Sequence, residues 1–213
     1  SKLKIVDNAD VFRSFLHLLS KVYENHHQRQ DSLKLIENII TYYKKDILNT
    51  FQNCEIFTIF KNDKKLLLFL LSSEIIKLDN FVILALKSDK YSTFFYPEIK
   101  DYLEKDEKAT IEAKIPDNFL QKRQIGENDS ILCEIIRNDW VDQFISYISR
   151  TNCPLTGIIN QSIFETNNFL IDKSPSLIEY ASFFGSIQIF QYLRLKDVQL
   201  TESIWYYAIH NNN

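Results

Sequence analysis

Between residues 9 and 24 the apolar side chains fall at Phe12, Phe15, Leu16, Leu19 and Val22. That spacing of three or four predicts one amphipathic helix, with Asp7, Asn8 and Asp10 at hand as caps. Residues 31–48 repeat the spacing through Leu35, Ile36, Ile39, Ile40 and Tyr43 and predict a second helix, closed by Lys44 and Lys45, whose charge suits a carboxyl end. The wholly polar stretch 25–30 between them reads as a loop. From Glu55 the pattern shortens: 55–60 and 64–72 predict two short apolar helices, separated by Lys61, Asn62 and Asp63. The run LLLFLL at 66–71 is soon followed by Glu74 and Lys77 and falls short of the roughly 18 residues of a membrane span, so a buried core helix is expected there. Residues 80–86 and the aromatic stretch 91–96 follow, and Pro97 opens a helix over 98–103. Residues 101–114 mix both charges densely and read as a linker or exposed loop, ended by Pro116.

Self-similarity organises the second half of the chain. The stretch SLIEYASFFGSIQIFQYL (176–193) has a helix-opening Ser176, a small Ala181, then Gly185, then apolar positions at Ile187, Ile189, Phe190 and Leu193. A small residue lets two antiparallel helices approach, and a glycine accepts the left-handed conformation that ends the first helix and turns the chain. This is the order of an ankyrin unit, T-P-L-H-x-A-A, then Gly, then an apolar second helix. Residues 130–148 put Ile135 and Asp139 in the Ala and Gly places, residues 203–213 put Ala208 and Asn212 there, and residues 55–71 offer Ile59 and Asp63 as a fourth copy. Asp and Asn are the common non-glycine residues at left-handed positions. The intervals are uneven, 27 residues (208 − 181) and 46 (181 − 135), against about 33 in a regular ankyrin unit.

On these residues, with IFETNNFLIDKSPSLIEYASFFGSIQIFQYLRL at the centre and Phe95-Tyr96-Pro97-Glu98-Ile99 upstream, the chain resembles a domain of no established activity that precedes ankyrin repeats in a large, expanded family of protist ankyrin-repeat proteins. The resemblance implies an α-helical, ankyrin-like solenoid whose complete repeats continue beyond Asn213. The T-P-L-H tetrapeptide and the Gly-rich hairpin between units are missing, so the projecting β-turn finger of a regular ankyrin unit is not expected. The expected fold is therefore all-α: a helical amino-terminal region over residues 1–123, acting as a cap, followed over 124–213 by degenerate ankyrin-like helix-turn-helix repeats forming an α-solenoid, cut short at the carboxyl end.

Composition narrows the function. Three Gly and four Pro in 213 residues disfavour a turn-rich β-barrel or sandwich, and 45% apolar content excludes a disordered chain. A net charge of −3 leaves no basic footprint, so neither nucleic acid nor a membrane is an expected partner. Cys54, Cys133 and Cys153 are odd in number and widely spaced, which points to free thiols and a cytoplasmic setting. No secretory signal is visible in residues 1–6, and the absence of Met together with the end on Asn211, Asn212 and Asn213 suggests a fragment of a longer protein.

Candidate chemistry is sparse, and no cofactor is expected. His17 lies in the first helix; His26 and His27, with Glu24, could chelate a metal, but neighbouring histidines point apart and a solvated loop is the expectation. Cys133 is expected as a small buried hydrophobe rather than a nucleophile. Gly126, Gly157 and Gly185 are isolated and form no phosphate loop, and the pairs Lys44-Lys45 and Lys64-Lys65 read as solvated charge at helix ends. In an ankyrin unit the two residues before the Gly face the concave surface. These are Arg137-Asn138, Phe183-Phe184 and His210-Asn211, which are the candidate partner-binding residues. Two aromatics at 183 and 184 should be covered, by the amino-terminal helices or by a bound partner. Trp140 and Trp205 are expected to pack between repeats. The expected function is a non-enzymatic scaffold for a protein partner. The alternatives are a structural subunit of a larger assembly and a hydrolase using Cys133 or the His26-His27 pair.

Overall fold

A computed structural model describes residues 4–25 and 30–209. Among the described residues the chain is all-α: fifteen α-helices and two short 3-10 helices, with no strand and only two isolated β-bridges. It divides into two compact units, one of residues 1–126 and 166–168, the other of residues 127–165 and 169–213. No helix among the described residues is long and apolar enough to cross a membrane.

The first unit opens with a short 3-10 helix (Lys4–Asp7) and α1 (Ala9–Asn25), which buries Phe12, Leu16, Leu19 and Tyr23 on one stripe against α2 (Gln30–Tyr42) and α4 (Asn53–Phe60). The helix expected over 31–48 is broken. Tyr43 takes φ −90° and ψ 5° between α2 and α3 (Lys44–Thr50), and its buried ring lies 5.7 Å from Phe12. Packing of that ring decides the bend, and Lys44 and Lys45 open a helix instead of closing one. Lys44 is not simply solvated, since its Nζ donates to the Ser73 carbonyl at 2.6 Å.

Helix α4 begins in a capping box of Gln52 with Glu55, and Asp63 caps α5 (Lys64–Ser72) by accepting the Leu66 N–H at 2.8 Å. Asp63 has φ −127°, so the fourth candidate repeat lacks its left-handed turn: this residue starts a helix rather than reversing the chain. Leu66, Leu67 and Leu70 are fully buried, each contributing on the order of 2 kcal/mol, and α5 is the core helix that its apolar run predicts. Lys64 is also buried, with its Nζ 5.6 Å from the centre of the Phe94 ring, so it is not the solvated charge expected. Its methylene stem and the ring face accommodate it.

Helix α6 (Asn80–Leu86) is capped by Asp79, and the aromatic stretch after it forms a turn that buries Tyr91, Phe94 and Phe95. Pro97 sits in the first turn of α7 (Tyr96–Ile99), continued by a 3-10 turn (Lys100–Tyr102). The charged stretch 101–114, expected as a loop, instead contains α8 (Lys105–Glu112). A Glu104–Glu107 capping box starts it, and Ile111 anchors it. Lys, Glu and Ala are good helix formers, and one buried side chain suffices to dock so short an element. Helix α9 (Phe119–Ile125) ends at Gly126, which takes φ 76°.

The second unit is built on two helical hairpins. Helices α10 (Ile131–Arg137) and α11 (Val141–Thr151) form the first, and α13 (Leu177–Phe184) and α14 (Ile187–Leu195) the second. Helix α10 packs on α13, α11 packs on α14, and α15 (Ile204–Ala208) packs on the free side of α13. Both turns are left-handed at the residues the repeat pattern singles out, with φ 52° at Asp139 and φ 67° at Gly185. Ser130 and Ser176 cap α10 and α13 through their hydroxyls, as the aligned serines imply. The long interval between hairpins is taken up by a loop and by α12 (Asn168–Lys173).

Candidate functional site

The residues before the two turns behave differently from one another. Phe183 is fully buried, so it presents nothing to a partner. Its ring stacks on Phe169 with centroids 6.1 Å apart and 14° between planes, and Phe169 in turn meets Tyr207 at 4.9 Å. Its cover is thus other rings of the same unit. Phe184 is half-buried, 4.7 Å from the Tyr180 ring, with the Arg137 guanidinium 6.0 Å above it.

Arg137 is committed internally. Its Nε lies 2.9 Å from the Glu127 carboxylate, and its Nη1 donates to the Asn128 carbonyl at 2.8 Å and to the Tyr180 hydroxyl at 3.1 Å. Asn138 is exposed, but its amide donates back to the Glu134 carbonyl at 2.9 Å and seals the end of α10. Of the four described candidates, Asn138 is exposed, Arg137 and Phe184 are half-buried, and Phe183 is buried. His210 and Asn211 lie outside the described residues, as do His26, His27 and Asn212. Among the described residues no three His, Cys, Asp or Glu side chains gather to hold a metal.

Cys133 is buried in the core of the same unit. Burial pushes its thiol up, against the hydrogen bonds of Ser130 and Tyr180 and the charge of Arg137. A group held as a thiol is a poor nucleophile, and its setting is that of a core side chain.

Two polar side chains, Asp139 and Ser186, tie the hairpins together, and a third, Glu179, ties α13 to the entry of α15; repeat matching singles out Asp139 as a turn but none of these contacts. Asp139, besides turning the first hairpin, accepts the N–H groups of Gln188 and Ile189 at 3.0 and 2.9 Å and so caps α14 of the second. Ser186 beside it donates to the Ile136 carbonyl at 2.5 Å. Glu179 forms a capping box with Ser176 and also accepts from the hydroxyls of Thr201 at 3.1 Å and Ser203 at 2.5 Å, at the entry to α15. Burial works to raise the Glu179 carboxyl; the bonds from Ser203, Ser176 and Thr201 outweigh it and hold the group below the ordinary range. The Ser-x-x-Glu spacing at 176–179 is a readable capping-box signal, whereas the second role of each residue depends on tertiary packing.

A cleft of about 370 Å³ opens between α13, α14 and α15. Ala181, Gly185 and Ala208 line it with small side chains, and Ile187, Phe190 and Trp205 supply its apolar bulk. Trp205 is 74% exposed and Ile187 58%, so Trp205 is not the packing residue expected, and Trp140 is exposed as well. With about 100° per residue, Tyr192 and Phe190 fall on opposite flanks of the buried stripe formed by Ile189 and Leu193. Phe144 of α11 meets Tyr192, with ring centres 6.0 Å apart, while Phe190 faces the cleft. Helix α14 therefore carries an apolar arc wider than one neighbour uses. Compared with known protein families, curated proteins and solved structures, the chain has no match.

Proposed function

We propose that the chain is a non-enzymatic protein-binding scaffold whose second unit is an ankyrin-like stack of helical hairpins. On this reading the α13–α14–α15 cleft receives an apolar-faced helix of a protein partner. The observation that carries the reading is the asymmetry of α14: one flank is occupied by α11, and the other opens on a cleft lined by Phe190, Ile187 and an exposed Trp205. A helix laid there would extend the α11–α14 interface by one more layer, and Ala181, Gly185 and Ala208 leave room for a close approach. Exposed tryptophan is a favoured interface anchor.

The test is retention of a protein partner by the intact chain and by the Trp205→Ala and Ile187→Glu variants. Affinity should fall at least about tenfold in each variant, the loss of a central anchor, while the thermal melt stays unchanged. Turnover of a small substrate by the chain with no partner retained would refute the reading. A permanent place in a larger assembly is a second reading, favoured by Leu195, Tyr206 and Ile209, which are 82%, 63% and 68% exposed. Sedimentation separates the two. A concentration-independent monomer supports the reversible scaffold, and self-association lost in Trp205→Ala supports the subunit.

A further inference from the structure

The first unit contains a short segment that arrives from far along the chain. Thr166, Asn167 and Asn168 belong to it although 39 intervening residues, 127–165, belong to the other unit. All three are buried. Thr166 donates both its N–H, at 3.2 Å, and its hydroxyl, at 2.8 Å, to the Gly126 carbonyl. Asn167 pairs with Asp63 in an antiparallel β-bridge, and its side-chain amide donates to the Glu24 carbonyl at 2.9 Å. Asn168 keeps a buried side-chain oxygen with no hydrogen-bond partner. The segment is thus fastened at Gly126, Asp63 and Glu24, and carries one polar atom better served by water than by the protein.

Asp63 is bridged to this segment and has 1% of its surface exposed. On its own helix the charge of Lys65 favours the ionised form, and its Nζ donates to the Ile125 carbonyl at 3.3 Å; the Lys64 Nζ lies 5.6 Å from the centre of the Phe94 ring. From α1, Glu24 adds a like charge, itself paired with Lys21 at 2.7 Å, and the Tyr23 hydroxyl donates to Glu37 rather than to Asp63. The segment 166–168 brings no titratable side chain.

We propose that residues 166–168 form a proton-controlled clip: with Asp63 protonated the segment lies closed over it, and ionisation of Asp63 favours the open form, in which water reaches the carboxylate. The physical cause is the cost of taking the carboxylate charge out of water, which the closed clip imposes and the open clip relieves. Burial raises the Asp63 carboxyl to about 7 against the pull of the Leu66 and Lys65 N–H groups, so the transition falls near neutrality.

Amide hydrogen exchange at Thr166 reads the clip directly, because that N–H is one of its fastenings. In the intact chain, after correction for intrinsic exchange, the opening constant should be flat below about pH 4, rise by up to about tenfold per pH unit between about 4 and 7, and level off above about 7, where Asp63 is ionised in both forms. Asp63→Asn, which keeps a capping side chain, should hold the constant flat throughout. A flat profile in the native chain, or an undiminished rise in Asp63→Asn, overturns the proposal. Thr166→Ala supplies an independent arm, since a loosened clip must lower the Asp63 titration midpoint, read by carbon-13 NMR of the carboxyl. An unchanged midpoint in that variant also overturns the proposal.

Discussion

Asp139 carries two tasks that can be separated by substitution. At φ 52° it needs a residue tolerant of the left-handed region, and its carboxylate caps α14. Asp139→Gly should keep the turn and lose the cap, costing about 1 kcal/mol in urea unfolding. Asp139→Ala should lose both and cost roughly 1 kcal/mol more. Asp63 makes a prediction of opposite sign. Its folded-state value is raised above the unfolded one, so its stabilising effect is complete below about pH 4, declines as the pH rises, and is gone above about 7. Asp63→Asn should therefore stabilise the chain at pH 8 and should not do so at pH 4. The gain is a few kcal/mol at most, because a tenfold change in proton affinity on folding corresponds to about 1.4 kcal/mol. Parallel denaturant titrations at the two pH values check this. Glu179 behaves in the ordinary way: held below the usual range, it contributes stability that is lost on acidification through its folded-state value.

At the scale of the element, the residues that turn the chain were the most legible. Gly185 and Asp139 were readable as left-handed positions because few residue types accept that conformation, and the aligned Ser130 and Ser176 were readable as caps because hydroxyls at that place meet unpaired N–H groups. Packing decided what remained illegible. Nothing local marks Tyr43 as a helix break; its ring packs on Phe12 and Phe15 of α1, which are distant in sequence. Asp63 has the residue type of a turn and the role of a cap, and only its backbone angle tells the two apart. Of the candidate site, the positions 137, 138, 183 and 184 could be placed on their hairpins, but not which of them would be covered: Phe169, which stacks on Phe183, comes from a helix outside the repeat pattern. Because Phe183 is buried and Phe184 half-buried, Phe183→Ala should cost about 3–5 kcal/mol in unfolding free energy and Phe184→Ala clearly less. Equal small losses from both would contradict the placement of Phe183 in the core.

For the molecule as a whole, exposed apolar surface and internal stability are separable. Trp205 and Ile187 contribute to the cleft while remaining mostly in solvent, so Trp205→Ala should change the melting temperature little and change association strongly. A melt lowered as far as that of Phe183→Ala would instead make Trp205 a structural residue. The two-unit division has its own bearing on dissection. The stretch 166–168 completes the first unit from within the sequence of the second, so one scissile point cannot yield both pieces whole. A fragment ending at Gly126 would lack the partners of its Gly126 and Glu24 carbonyls, and a fragment beginning at Glu127 would carry three residues evolved for burial elsewhere. Limited proteolysis in the stretch 152–165 would then leave two chains still associated under native conditions, a nicked protein rather than a pair of independent halves.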